Sequence, residues 1–191
     1  MQELKDRIVK EGKVLPGNII KVDGFLNHRI DTELMDHIAE EFGKHFNMDE
    51  VTMILTAEAS GIALSAIVAH HFHKPMIFAK KAKSDNIESG LYQSEVFSYT
   101  YKKRVTLLVS QEWLNADDHV LIIDDFMANG FAVQGLVDIV NEAGAKLEGI
   151  GIAVEKGFQG GGDRFRASGI PYKALAVIEK ADENGFVFRE E

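Results

Sequence analysis

The chain of 191 residues contains no cysteine and only three prolines. Without cysteine, disulfide bonds, thiolate catalysis and cysteine-ligated zinc are all excluded. No apolar run approaches the roughly 20 residues that a membrane-spanning helix needs, so we expect no membrane partner. The N-terminal stretch MQELKDRIVKEGK is charged and lacks the apolar core of a signal peptide, which predicts a cytoplasmic location.

Basic residues are also scarce relative to acidic ones. Lysine and arginine together number 21 against 30 aspartates and glutamates, and the formal net charge is −9. Binding to duplex nucleic acid requires a basic stripe, so we expect no nucleic-acid partner. The acidic composition still permits a local basic pocket that binds a phosphorylated small molecule.

The apolar patterns alternate between strand and helix. Helices are predicted at residues 2–11, after an N-cap at Asp31, at IALSAIVAHHFH and at residues 132–141. Strands are predicted at NIIKV, VTMILT, KPMIFAK, VTLLVS, HVLIID, EGIGIAVEK and YKALAVIE. The polar stretch of residues 81–93 predicts a long loop or flap. This order indicates an α/β fold with an open, mostly parallel twisted sheet flanked by helices.

Two adjacent aspartates, Asp124 and Asp125, follow an apolar run in the stretch HVLIIDDFMANGFAV. Repulsion and desolvation oppose this pairing at the end of a buried strand, unless a ligand uses the two charges. Ligands of open α/β sheets bind at such strand ends. The loop around Gly130 then leads into a helix, whose N-terminus attracts anions. The pattern favours a sugar phosphate, with a single helix-capping aspartate as the structural alternative.

Several segments carry a resemblance to a known family. VLIIDDFMANGFA, Val120–Ala132, resembles the signature that type I phosphoribosyltransferases use to bind phosphoribosyl diphosphate (PRPP). LTAEASGIA, FAKKAKSD and VEKGFQGG resemble, in order, the diphosphate loop, the entry to the catalytic loop and the segment that closes over the purine. NIIKVDGFLNHRID is similar to the bacterial branch of this family that acts on xanthine.

The resemblance implies a fold, an activity and partners. It implies one phosphoribosyltransferase domain over residues 1–191, with a small hood formed by about residues 1–35 and part of 155–191. The implied reaction joins xanthine and PRPP to give xanthosine 5′-monophosphate and diphosphate. Mg²⁺ is expected to arrive on the diphosphate with no direct protein ligands. A homodimer is expected from the resemblance and from the frequency of symmetric assemblies.

The resemblance also implies roles for individual residues. The catalytic residues are expected to be Asp124, Asp125 and Lys81, with the aspartates holding the ribose hydroxyls. PRPP binding is expected from Ala59, Ser60, Gly61, Asp124, Asp125, Ala128, Asn129, Gly130, Phe131 and Ala132. Purine binding is expected from Ile20, Asn27, Lys156 and Phe158. Among these, Lys156 is expected to donate to the 6-oxo group, and Phe158 to stack on the ring.

Departures from the family pattern keep two alternatives open. Hypoxanthine–guanine enzymes carry an aspartate where this chain has Ala128, so the obvious general base is missing. Another 6-oxopurine, guanine or hypoxanthine, remains the near alternative to xanthine. A regulator that senses PRPP is the other alternative. The acidic net charge disfavours it. A regulator of this kind is also expected to carry an N-terminal winged-helix domain, whereas the expected hood of this chain begins by about residue 18.

Overall fold

The computed structural model describes residues 1–81, 90–98 and 103–190, with only the backbone described at 98 and 103. Its helices and strands are α1 (Gln2–Glu11), β1 (Lys13–Leu15), β2 (Ile19–Lys21), α2 (Thr32–Gly43), β3 (Met53–Ala57), α3 (Gly61–His71), β4 (Met76–Ala79), β5 (Leu91–Ser98), β6 (Lys103–Ser110), β7 (His119–Met127), α4 (Phe131–Glu142), β8 (Lys146–Lys156), α5 (Gly161–Ser168), β9 (Tyr172–Asp182) and β10 (Gly185–Phe188). A π-helical turn, Asp23–Asn27, precedes α2, and a 3-10 turn, Gly157–Gln159, precedes α5. None of the helices in these described ranges has the length and apolar character needed to cross a bilayer.

Six strands form the central sheet in the order β10-β9-β8-β7-β3-β4. The strands β9, β8, β7, β3 and β4 are parallel, and β10 is antiparallel at the edge. The predicted open, mostly parallel sheet is therefore confirmed. The chain progresses outward from β3 to β4, and then outward in the other direction from β7 to β9. This reversal makes the gap between β3 and β7 a topological switch point, where ligands of such sheets bind.

Helices cover both faces of the sheet. Along β7, Leu121 and Ile123 belong to a core cluster with α1, α2 and α3, whereas Val120 and Ile122 belong to a second cluster with α4. Alternate residues of a strand point to opposite faces, so a continuous apolar run is what a doubly covered strand requires. The two clusters together hold the strand ends in place from above and below.

The N-terminal segment is tied to the rest of the chain by polar contacts. The ammonium group of Met1 donates to the carbonyl oxygen of Leu175 in β9 at 2.7 Å. Asp31 caps α2 by accepting from the backbone nitrogen of Leu34 at 3.2 Å, which confirms the predicted N-cap. The same carboxylate accepts from Arg7 of α1 at 2.6 Å. The division into one domain with a hood stays a prediction.

The structure differs from the sequence-based prediction in several places, among them the unpredicted strands β1 and β10. Strand β7 continues through Met127, so the aspartate pair lies inside the strand and not at its end. Leu91–Gln93 belongs to β5, so the loop predicted for residues 81–93 is wrong at its C-terminal end; residues 82–89 lie outside the described residues. Helix α5 was not predicted, because three consecutive glycines from residue 160 weaken its helical pattern.

Strands β5 and β6 form a separate antiparallel ribbon, in which Leu91 lies opposite Ser110. The ribbon joins the end of β4 through a bridge between Lys80 and Leu108. Hydrogen bonds of 2.9 Å run in both directions between these two backbones. The bridge places the ribbon at the carboxyl edge of the sheet, beside the switch point.

Two glycines of β8 bring α2 close to the sheet. Gly151 lies beneath the ring of Phe42 in α2, and Gly149 lies beneath the ring of Phe46, just after the C-terminal end of α2. A Cβ atom at Gly151 would lie 2.7 Å from Cδ1 of Ile123 and 2.9 Å from Cε1 of Phe42. Such atoms cannot approach so closely, so this helix–sheet contact requires glycine.

Gly151→Ala is therefore expected to lower the free energy of unfolding by about 1–3 kcal/mol, because overpacking displaces the ring of Phe42. Gly24→Ala is the matched control, since a Cβ at Gly24 meets no atom within 4 Å. Urea denaturation of both variants at one protein concentration measures the difference. Equal unfolding midpoints for the two variants would contradict the packing argument.

Candidate active site

Two loops meet at the switch point of the sheet. One loop connects β3 to α3 and the other connects β7 to α4. Because β3 and β7 pair in parallel, with Leu55 opposite Ile122, their carboxyl ends emerge at the same edge. A cavity of ≈190 Å³ opens there, and both loops contribute to its walls. The ribbon closes one side with Val96, Phe97 and Val105.

Asp125 is the most constrained polar group of this cavity. Its side chain is 1% exposed, and its two oxygens accept hydrogen bonds from two different parts of the chain. Oδ1 accepts from Oγ of Ser60 at 2.8 Å, and Oδ2 accepts from Nδ2 of Asn27 at 3.0 Å. Hydrogen bonds to both oxygens offset the cost of burying the carboxylate. Three distant segments thus converge on one side chain.

Asp124 is buried beside it and has a different environment. Its Oδ1 accepts from the backbone nitrogen of Asp125 at 3.1 Å. Burial raises the pKa of Asp124 well above its usual range, and the negative charge of Asp125 raises it further, while Lys81 acts in the opposite direction. A ligand that offers hydroxyl donors or positive charge to Asp124 favours its ionised form. The ionisation of Asp124 therefore depends on the ligand that enters the cavity.

Gly61 allows Asp124 to lie close to the start of α3. A Cβ at this position would collide with Oδ1 of Asp124 and with Oγ1 of Thr56. Ser60, the N-cap residue of α3, makes no capping hydrogen bond, because its hydroxyl donates to Asp125 instead. The peptide bond between Glu58 and Ala59 is cis. Ser60 and Gly61 thus lie directly against the aspartate pair.

Lys81 reaches the same cavity from the end of β4. Its backbone nitrogen donates to Oε1 of Glu58 at 2.6 Å, and Glu58 in turn donates its own backbone nitrogen to the carbonyl oxygen of Ala79. Lys81 and Glu58 both line the cavity. Glu58 was not predicted as part of the site, because one glutamate in a turn carries no pattern of its own.

The loop Ala128–Phe131 forms the remaining wall. Gly130 has a left-handed φ of 74°, which glycine adopts readily, and α4 begins immediately after it. The first backbone N–H groups of α4 have no helical partner and face the helix N-terminus, so they suit an anion. Nη2 of Arg164 donates to the carbonyl oxygen of Asn129 at 2.6 Å, and its guanidinium lies 5.5 Å from the ring of Phe131.

Two of the four residues predicted to bind a purine, Asn27 and Lys156, make hydrogen bonds that link distant segments. Lys156 ends β8, where its Nζ donates to the carbonyl oxygen of Asn18 at 3.2 Å and lies 5.5 Å from the ring of Phe126. Burial lowers the pKa of Lys156. Asn27 contacts Asp125, as described above. The structure therefore connects both Lys156 and Asn27 to the segment around β2.

Ile20 and Phe158 have weaker connections to the site. Ile20 is 8% exposed and belongs to the core cluster that contains α1 and α2. Phe158 is 38% exposed on the 3-10 turn after Lys156. Within the described part of the chain, none of the four residues predicted to bind a purine lines the ≈190 Å³ cavity, whereas residues 128–132 all line it. Their roles stay predictions.

A separate group of three side chains with the geometry to hold a metal ion lies at the opposite edge of the sheet. Glu50, His119 and Glu148, at the amino ends of β3, β7 and β8, have ligand atoms within 4.8 Å of one another. Glu148 already pairs with Lys146 at 2.7 Å and with His119 at 2.8 Å. This group is far along the strands from the aspartates, so it takes no part in the cavity chemistry.

The arrangement can bind a sugar phosphate. The aspartate pair offers acceptors for hydroxyl groups, the start of α4 offers donors for a phosphate, and Lys81 adds a cation to the wall of the same cavity. The family model of the phosphoribosyl transferase domain matches residues 25–176, a range that includes every one of these groups.

Solved structures and curated relatives extend this comparison. An adenine phosphoribosyltransferase from Giardia lamblia, complexed with 9-deazaadenine, superposes with a TM-score of 0.76 at 20% identity, covering 90% of this chain and 96% of its own. The adenine enzyme from Rhodothermus marinus gives a TM-score of 0.73 at 19% identity, covering 92% and 98%. At such identities these structures establish the fold alone.

The curated relatives are much more similar in sequence. The xanthine phosphoribosyltransferase of Bifidobacterium adolescentis is 51% identical over 189 residues, 98% of each chain. That of Lachnoclostridium phytofermentans is 50% identical over 191 residues, 99% of this chain and 98% of its own. Because the domain model spans most of the chain and these relatives match nearly its whole length, the protein belongs to the phosphoribosyltransferase family.

Proposed function

We propose that this protein transfers the 5-phosphoribosyl group of PRPP to a ring nitrogen of xanthine, forming xanthosine 5′-monophosphate and releasing diphosphate. The observation that carries the proposal is the hydrogen-bonded cluster of Asp125, Ser60 and Asn27. It joins the residues assigned to ribose, diphosphate and purine at one point. The names of relatives about 50% identical over nearly the full chain support xanthine as the acceptor.

PRPP is assigned to the cavity beside the aspartates. Its 5′-phosphate accepts from the backbone of residues 128–132, and its ribose hydroxyls donate to Asp124 and Asp125. Residues 59–61 and Lys81 contact the diphosphate. As the bond to diphosphate breaks, positive charge develops on the ribose, and the buried carboxylates stabilise it. Positioning of the two substrates supplies the other part of the rate acceleration.

Mg²⁺ fits this site as an ion that travels with PRPP. Each oxygen of Asp125 already accepts one hydrogen bond, from Ser60 or from Asn27, and its remaining lone pairs are assigned to the ribose hydroxyls and not to the metal. Mg²⁺ keeps several waters and binds phosphate oxygens readily. When bound with PRPP, it supplies positive charge that stabilises the leaving diphosphate. Asp124 and Asp125 then hold the ribose without leaving their hydrogen-bonded positions.

The purine is assigned to the space between Asn27 and Lys156. A carboxylate only accepts hydrogen bonds, so Asn27 must direct its Nδ2 to Asp125, which leaves Oδ1 to accept from a purine N–H. Lys156 donates to the 6-oxo oxygen, and Phe158 and Ile20 offer apolar contact. Ala128 supplies no general base, and the acidity of xanthine, which binds partly as an anion, makes one less necessary.

A homodimer and a cytoplasmic location also belong to this proposal. Symmetric dimers are the commonest assemblies of soluble enzymes, and the family resemblance points the same way. Light scattering of the purified chain tests the first of these. A mass of one chain at micromolar concentration would contradict it.

Turnover with PRPP and Mg²⁺ is the direct test of the activity. The value of kcat/KM is expected to be higher for xanthine than for guanine, hypoxanthine or adenine. Adenine is expected to be the poorest, because Lys156 would face its 6-amino group. Turnover of guanine or hypoxanthine alone would move the assignment to another 6-oxopurine. PRPP binding without turnover of any base would favour a PRPP sensor.

Replacing both Asp124 and Asp125 with asparagine is expected to lower kcat at least about 100-fold, because the negative charge beside the ribose is lost. The fold is expected to persist, since the change removes buried charge and keeps the shape of the side chains. Asp117→Asn, in the exposed turn before β7, is the control for the chemical change. Steady-state kinetics and circular dichroism measure the two properties. Near-normal turnover in the double variant would contradict the assigned role.

Lys156→Ala is expected to raise KM for the purine about 10- to 100-fold, the worth of one hydrogen bond to a charged group. KM for PRPP is expected to change little, because Lys156 does not line the cavity that is assigned to PRPP. Lys10→Ala, exposed on α1, is the control. An equal loss for both substrates would assign Lys156 to a different step.

A further inference from the structure

A buried ion pair lies behind the site, at the carboxyl end of β8. Glu155 is 0% exposed, and its carboxylate accepts two hydrogen bonds from Arg166 of α5, at 2.9 Å to Oε1 and 2.6 Å to Oε2. The hydroxyl of Tyr172 donates to Oε2 at 2.8 Å. A paired fork of this kind fixes orientation as well as distance.

Helix α5 connects this pair to the phosphate loop. Its first turn contains Arg164, which donates to the carbonyl oxygen of Asn129 at 2.6 Å. It also contains Gly161, where a Cβ would lie 2.7 Å from the carbonyl carbon of Asn129 and 2.8 Å from the nitrogen of Gly130. The same helix therefore contacts the loop with one part and Glu155 with another.

Gly162 explains why the helix can make both contacts. A Cβ at this position would collide with the carboxylate of Glu155. The consecutive glycines of the chain thus serve two close approaches, one to the loop and one to the buried carboxylate. The close packing that these glycines allow offsets their low helix propensity.

The position of Glu155 in β8 completes the connection. Glu155 lies opposite Met127, the residue before the phosphate loop, and immediately precedes Lys156. Neighbouring residues of a strand point to opposite faces, so Glu155 faces α5 while Lys156 faces Asn18 and Phe126. A displaced Glu155 would displace the loop and the strand end together.

We propose that Glu155 and Arg166 are positioning residues, which act through α5 and Arg164 to hold the phosphate loop in the shape that binds the 5′-phosphate of PRPP. Neither residue lines the cavity that is assigned to PRPP. The proposal rests on the proposed function only in assigning the 5′-phosphate to residues 128–132. Glu155 and Arg166 thereby set the affinity for PRPP, because they hold the phosphate loop in place.

Arg166→Lys tests this directly, because lysine keeps the positive charge and loses the bidentate fork. The dissociation constant for PRPP, measured by isothermal titration calorimetry with Mg²⁺ and no purine, is expected to rise about 10- to 100-fold, as for residues that support a binding group. KM for PRPP is expected to rise in parallel, with a much smaller change in kcat. A purely structural role would lower the active fraction and kcat and leave PRPP affinity unchanged.

Coupling with Arg164 gives a second, independent readout. If Arg166 acts through Arg164, the variant with Arg166→Lys and Arg164→Met is expected to bind PRPP no more weakly than the worse single variant. Additive losses in the double variant would overturn the proposal. Lys146→Met, which breaks a 2.7 Å ion pair with Glu148 at the other end of β8, is the matched control and is expected to leave PRPP affinity unchanged.

Two features keep the test decisive. If the Arg166→Lys variant does not fold, a double variant with Glu155→Gln and Arg166→Gln is measured in its place. This double variant leaves no unpaired buried charge. PRPP affinity unchanged in a folded variant overturns the proposal. Because calorimetry with PRPP needs no purine, failure of wild-type turnover on xanthine would contradict the proposed function and leave this test intact.

Discussion

A buried carboxylate must receive hydrogen bonds, and the active site is organised around how Asp125 receives them. Its donors come from the loop before α3 and from the π-helical turn near residue 27, two segments that are distant in sequence. Losing either donor would leave a desolvated oxygen without compensation. The π-helical turn and the loop before α3 are therefore held to the sheet by Asp125, the residue that is proposed to hold the ribose.

Two buried acidic side chains lie near the carboxyl ends of the neighbouring strands β7 and β8, and the chain satisfies them in different ways. Asp125 accepts from the neutral donors Ser60 and Asn27, so its negative charge stays available to the cavity. Glu155 accepts from Arg166 and from Tyr172, so its charge is cancelled by a cation. Burial raises the pKa of the Tyr172 hydroxyl, which keeps it a donor. One carboxylate is suited to electrostatic stabilisation of a substrate, and the other to holding structure.

Much of the architecture and several of the residues that line the cavity were predictable from sequence, because strong local patterns coincide with the tertiary environment. The apolar run before the aspartates is covered on both faces, and Asp31 caps its helix as its position indicates. Patterns that depend on distant partners were missed. Helix α5 contains glycines that disfavour a helix, but their lack of side chains lets it pack closely against the phosphate loop and Glu155. Strand β5 forms because β6 pairs with it.

The sequence by itself determined the class of sheet, the adjacency of Asp124 and Asp125, and the glycine-containing loop that precedes α4. These are local properties, since the period of apolar residues and the conformational range of glycine act over a few positions. Only the tertiary structure decided which donors reach each carboxylate. Asn27 and Asp125 are separated by 98 positions in the chain, and Ser60 and Asp125 by 65. No local pattern records such a pairing, because it arises when strand order brings the segments to one edge of the sheet.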